Sequence, residues 1–245
     1  MGHSKNNELA RLRQERGKSR ATNGRKEKGR QRQVRFLIVC EGTKTEPYYF
    51  NALVQGSMSD VREVNVQGVG MGTVALIKET KAIKHDLEKK NNMQFDRVWV
   101  VFDKDDFQDF NQAITTAKDL GYGSAWSNEA FELWYCLHFV YLNTGISRAD
   151  YITMIENTLK NKPGNNNFTY TKGDPDIYSL LQKYGNENMA KKHAEKLRKS
   201  FNNTNYAAHN PCTMVDKLVD ELQHPSLQSY PFPQPHHRQV ECLLA

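Results

Sequence analysis

The chain has 245 residues, of which 38% are hydrophobic and 25% charged, with a formal net charge of +6. That length accommodates one α/β domain, or one domain with an appendage, and leaves ample residues for a core. No apolar run approaches the roughly 18 residues of a membrane span, and the N-terminus lacks the apolar centre of a secretory signal, so a soluble cytoplasmic protein is expected.

The charge is unevenly spread. Residues 1–35 hold twelve of the 34 Lys/Arg and three of the 28 Asp/Glu, which leaves 22 basic and 25 acidic residues for the remainder. Residues 1–33, rich in Arg, Lys, Gly, Gln and Asn, have too little apolar content to fold alone beyond a short helix near 7–15. Their chemistry suits a disordered arm on nucleic-acid phosphates, whose grip would weaken with salt. The competing reading is a solubilising leader, and no base-reading element is visible. Four cysteines (Cys40, Cys136, Cys212 and Cys242) show no C-x-x-C spacing, which points to reduced thiols and away from zinc.

The first strong element is VRFLIVCEGTKTEP at 34–47. Its continuous apolar run fits a strand buried on both faces of a parallel sheet. The run stops at Glu41-Gly42, and Glu46-Pro47 opens a helix over 46–54, proline being tolerated in a first turn. A second strand is expected over 60–69. GVGMG at 68–72 then leads into a helix over 73–90. This turn could cradle phosphate, but it is neither a Walker A loop nor a complete G-x-G-x-x-G, because Thr73 stands where the last glycine belongs. A flexible turn near the active edge is the preferred reading.

RVWVVFDKDD at 97–106 is a third buried strand, ending in Asp103, Asp105 and Asp106. If it runs parallel to the first, Glu41 and the Asp103/Asp105 pair leave the sheet at one edge, where open α/β sheets bind ligands. Clustered carboxylates repel one another unless a cation sits among them, and hard oxygen ligands suit Mg²⁺ or Mn²⁺. The plainer alternative is that these acids cap strand ends and helix starts. A helix over 107–120 and a short strand over 122–126 complete an α/β arrangement with a mostly parallel four-stranded sheet.

Ser127-Asn128 is expected to cap a helix over 129–140 that is apolar on most sides. Glu132 lies inside it, either buried and completing the site or on a solvent stripe with Glu129. His138 reads more readily as a hydrogen-bonded core histidine than as a catalyst. Four amphipathic helices follow, over 148–161, 176–184, 187–202 and 213–223, with Thr213 capping the last. The polar loop 162–175 carries Lys172, either a partner for a scissile phosphate or a solvated lysine. From 224 onward the chain is a Pro/His-containing tail. The expected organisation is an arm (1–33), an α/β core (34–145), a helical extension (146–223) and the tail (224–245), without internal repeats or heptads.

Four stretches carry a family resemblance: CEGTKTEPYYF at 40–50, FDKDDF at 102–107, SNEAFELWYCLHF at 127–139 and HNPCTMVDKLVDEL at 209–222. A strand ending in Glu-Gly and a later one ending in Asp-x-Asp resemble the Toprim domain of topoisomerases, primases and related nucleases. Glu41-Gly42-x-x-x-Glu46 looks like the form found in OLD-type nucleases. The wider pattern is similar to the RloB family of bacterial defence-associated proteins, with Glu129 standing where that family has a proline.

The resemblance implies a Toprim-like fold with a C-terminal helical extension and a metal-dependent nuclease acting in antiphage defence. Asp103 and Asp105, with Glu41 and Glu46, would hold one or two Mg²⁺ or Mn²⁺ ions. Glu41 is alternatively a general acid/base, and Glu132 and Lys172 are further catalytic candidates. No tyrosine stands out as a topoisomerase nucleophile and no primase zinc module exists, so nuclease is the preferred activity. Expected partners are nucleic acid (DNA or RNA, including tRNA) through the arm and an RloA-like ATPase; homo-oligomer formation stays open. The competing function is a nucleic-acid-binding or sensor subunit with a structural or degenerate metal site.

Overall fold

The structure, a computed structural model, describes residues 34–56, 62–104 and 108–225. The basic arm, Asp105 and Asp106, and the tail beyond 225 lie outside these residues, and with them the expectations made for those stretches.

Four parallel strands form the centre: β1 (Val34–Cys40), β2 (Arg62–Gly68), β3 (Arg97–Asp103) and β4 (Gly123–Asn128). A two-residue β5 (Cys212–Thr213) adds to the edge antiparallel to β4, giving the order β2-β1-β3-β4-β5. The fold is therefore the expected mostly parallel α/β sheet, with one more short strand. Side chains alternate across each strand. Phe36, Ile38 and Cys40 enter one hydrophobic cluster, while Leu37 and Val39 enter the other. Both faces of β1 are covered, which is why its sequence is an unbroken apolar run.

Helices α2 (Thr73–Asn91) and α3 (Phe110–Asp119) supply Leu76, Ile77, Phe110, Ala113 and Ala117 to the cluster of Leu37 and Val39. The opposite cluster takes α1 (Thr45–Gly56) and α4 (Glu132–Leu137). It also takes α5 (Arg148–Lys160), α6 (Ile177–Tyr184), α7 (Glu187–Lys199) and α8 (Val215–Gln223). The C-terminal helices thus share one hydrophobic cluster with the sheet. No described helix is long and apolar enough to cross a membrane. Cys40, Cys136 and Cys212 are buried free thiols.

Two local expectations are corrected. Ser127 and Asn128 do not cap a helix over 129–140; they end β4. The Ser127 hydroxyl pairs with that of Thr213 at 2.9 Å, and Asn128 donates to the Ala207 carbonyl at 3.0 Å. These partners, some eighty residues away, outcompete a local cap. The helix begins only at Glu132, without a side-chain cap. Likewise, Thr213 belongs to β5 and not to the last helix, although its hydroxyl does accept from the Val215 amide at 3.2 Å, next to that helix's first turn.

Candidate functional site

Parallel pairing of β1 with β3 puts Cys40 opposite Val101. The Glu41 amide continues the ladder by donating to the Val101 carbonyl at 2.8 Å. Its side chain turns toward the next strand end, where Oε2 accepts from the Asp103 amide at 3.0 Å. Glu41 and Asp103 therefore do leave the sheet side by side. The Glu41 carbonyl accepts from Gly70 at 2.7 Å, so the turn after β2 braces the Glu41 loop. Gly70 has φ +67, and a Cβ on Gly68 would stand 2.6 Å from the Gly42 carbonyl oxygen. Gly68 serves the close approach between the two turns and Gly70 the left-handed backbone there.

Helix α1 begins one residue after Lys44, with Glu46 and Pro47 in its first turn. That places the Glu46 side chain back over Gly42, where a Cβ would be 2.9 Å from its carboxyl carbon. Glu132, in the first turn of α4, is 0% exposed, which settles the choice left by the sequence against the solvent stripe. Glu46 and Glu132 lie within electrostatic reach of each other and of Asp103, and Glu41 acts on both Glu46 and Asp103. Four of the five carboxylates singled out in the sequence thus converge; the fifth, Asp105, is outside the described residues.

The cluster is under electrostatic load. Burial, then the charge of Glu132 and to a lesser extent Glu41, pushes the Glu46 carboxyl up to about 7, against the partial relief of its own backbone amide and of Lys172. Burial, then Glu46 and Glu132, also holds Asp103 well above the usual carboxylate range, with Arg148 pulling the other way. A capping box between Ser147 and Asp150 fixes the start of α5 and hence Arg148, which donates to the Glu129 carbonyl at 3.0 Å. Glu46 Oε2 and Glu132 Oε2 are buried with no hydrogen-bond partner among the described residues. Leaving a carboxylate so placed costs several kcal/mol, roughly what burial of two aromatic side chains returns. Tyr49, Phe50, Phe131 and Tyr135 pack edge-on or tilted against one another and supply such burial.

Lys172 is exposed in the loop after α5, yet its charge reaches Glu46. His138 behaves as a core histidine: it is buried, its Nδ1 pairs with the Trp134 carbonyl at 2.9 Å, and burial lowers its pKa to about 4. The site itself is all oxygen, the donor chemistry of hard divalent cations. Among the described residues, no three or more Asp, Glu, His or Cys side chains already stand as a metal-holding group. What the described residues offer is a set of carboxylates at one sheet edge, with two buried oxygens to spare.

A family model described as RloB-like protein matches residues 36–222. The chain belongs to the RloB-like family. No curated protein and no solved structure matches it. The RloB-like match takes in Glu41, Glu46, Asp103, Glu132 and Lys172, and nearly all of the described fold.

Two members of the RloB-like site escaped the sequence reading. Tyr170 is buried, and its hydroxyl donates to Glu132 Oε1 at 3.3 Å. Tyr135 is buried, with a hydroxyl that has no partner among the described residues and feels Tyr170 and Glu132. A usable signal existed for the first: Phe168 and Tyr170 are aromatic positions two apart in an otherwise polar loop. Tyr135 carried none, because it sits among Leu133, Trp134 and Leu137 on a helix that is apolar on most sides.

Proposed function

We propose that this RloB-like chain is a divalent-cation-dependent nuclease that hydrolyses nucleic-acid phosphodiesters at the Glu41–Asp103 edge. The observation that carries this reading is the pair of buried carboxylate oxygens, Glu46 Oε2 and Glu132 Oε2, without partners beside Asp103. Buried acids this close to a third need compensation, from a proton or from a cation that takes the proton's place. Mg²⁺ or Mn²⁺ is the fitting group and would be held by Asp103, Glu46 and Glu41, with Asp105, two positions on in the sequence, as a further candidate. When bound, such a cation neutralises the cluster and lowers the pKa of a coordinated water.

The chain's own residues do the rest. Glu41, fixed at its amide, carbonyl and carboxylate, serves as ligand or as the base that takes a proton from the attacking water. Glu132 supports the cluster as a buried neighbour of Glu46 and Asp103, and Lys172 offers a point charge to a phosphate oxygen. Residues 1–33 bring the nucleic acid in through its backbone, which supplies affinity and not sequence choice. The RloB-like membership extends the proposal to antiphage defence in concert with an RloA-like ATPase.

The test is a cleavage assay. Wild type and Asp103→Asn are incubated with labelled duplex DNA, single-stranded DNA and tRNA, in Mg²⁺, Mn²⁺ or EDTA, with and without the ATPase. Cutting that requires the cation and vanishes in Asp103→Asn is expected. Salt-sensitive binding without cutting in every arm would replace this reading with a nucleic-acid-binding or sensor subunit.

A further inference from the structure

The loop between α5 and α6 is longer and more polar than a simple helix connection needs to be, yet one of its residues is deeply buried. Tyr170 is 4% exposed in a stretch whose neighbours Thr169, Thr171 and Lys172 are all exposed. Turns flank it, with Phe168 donating to the Asn165 carbonyl at 2.8 Å and Asp174 to the Thr171 carbonyl at 3.0 Å. Its amide donates to Glu156 Oε2 at 3.1 Å and its hydroxyl to Glu132 Oε1 at 3.3 Å. Three residues on, Gly173 adopts φ +79 and packs so closely on Lys44 that a Cβ there would stand 2.8 Å from the Lys44 Cβ. The loop is thus tied to α5, to α4 and to the start of α1, the last two being the helices that supply Glu132 and Glu46.

We propose that Tyr170 is a positioning residue of the carboxylate cluster, orienting Glu132 and holding Lys172 at Glu46. By engaging Oε1 of Glu132, its hydroxyl leaves Oε2 as the oxygen available to the cluster. The same bond pins the loop two residues from Lys172, so an exposed lysine on a polar loop has a defined place beside Glu46. A phenol suits the task, because burial and the nearby Glu132 charge hold its proton firmly and keep it a donor. The effect on Glu132 deepens the nuclease reading and rests on it; the effect on the loop does not.

Tyr170→Phe removes the hydroxyl and keeps the ring, so the fold should be retained, which its melting temperature checks. In full-length protein, amide exchange over 168–174 is expected to quicken about tenfold in the variant, with the α5 amides unchanged. Mn²⁺ affinity, followed by electron paramagnetic resonance without any substrate, is expected to weaken by about tenfold, the usual effect of losing a hydrogen bond in the shell that surrounds the metal's ligands. Unchanged loop exchange overturns the proposal. Faster exchange with Mn²⁺ affinity within twofold of wild type reduces Tyr170 to a loop anchor and overturns its role on Glu132. A wild type that takes up no Mn²⁺ overturns the cation reading of the site and with it the positioning of Glu132, while the exchange result still decides whether Tyr170 holds the loop.

Discussion

The carboxylate of Glu46 lies in the space that a side chain on Gly42 would require. A Cβ built on Gly42 would meet Glu46 Oε2 in a hard clash and stand 2.9 Å from Cδ and 3.0 Å from Oε1. The glycine of the Glu-Gly turn is thus fixed by the second glutamate of Glu41-Gly42-x-x-x-Glu46, four positions later. It follows that Gly42→Ala costs about 1–3 kcal/mol, the range for overpacking a close contact. The cost should largely disappear in a Glu46→Ala background, which removes the three atoms nearest to that Cβ. Urea unfolding of the two single variants and the double variant measures this coupling; additive effects would place the origin of the glycine elsewhere.

The proton balance of Glu46 sets a pH dependence. Its carboxyl rises from an ordinary 4.5 to about 7, first through burial. Between those values the folded chain holds a proton that the unfolded chain has released, so stability falls as pH increases. Without added cation, wild type should lose on the order of 1–3 kcal/mol relative to Glu46→Gln between pH 5 and pH 8. Taking the difference between the two proteins cancels contributions they share. Millimolar Mn²⁺ should flatten the difference by replacing the proton as the compensating charge. Chemical denaturation at four pH values checks both statements.

His138 gives the opposite slope. Burial lowers it from 6.5 to about 4, so the unfolded chain binds a proton that the folded chain refuses, and stability falls as pH drops through that window. His138→Phe should narrow the gap between pH 7 and pH 4.5 in melting experiments. Under the nuclease proposal, a histidine that only fills the core leaves the rate of nucleic-acid cleavage at pH 8 unchanged in the variant. A rate loss of a hundredfold without loss of folded protein would assign it a chemical role instead.

The buried strands, and the meeting of Glu41 with Asp103 at their ends, were legible because their signals are local. A five-residue apolar run ending in Glu-Gly, such as Phe36 to Cys40, has few homes other than a doubly covered strand, and parallel pairing then carries Glu41 to Asp103. Glu132 was not decidable, because a helix that is apolar on nearly every side has no defined inner face. Ser127 and Asn128 misled for a different reason: their partners, Thr213 and the Ala207 carbonyl, are distant in sequence. The same distance hid β5, whose two residues have no pattern of their own. Tyr170 reaches Glu132 across 38 positions, a contact that no periodicity announces.

The strand that carries Asp103 is also held from its other end. Glu221 on α8 is 5% exposed and accepts from Arg97 Nε at 2.7 Å and from Trp99 Nε1 at 2.8 Å. Both donors belong to β3, so the last helix is bonded to the strand that ends in the site. Burial raises the Glu221 carboxyl, while Trp99 and Arg97 pull it back. Removing a shared, buried acceptor of this kind costs about 3–5 kcal/mol, so Glu221→Ala should lower the urea midpoint sharply. Glu221→Gln keeps the shape and one acceptor oxygen but loses the charge, and should lie between the two. The site lies at the opposite end of β3, so the Gln variant should retain Mn²⁺ affinity within a few-fold of wild type. A Gln variant as stable as wild type would mean that shape, and not the ion pair, joins α8 to the sheet.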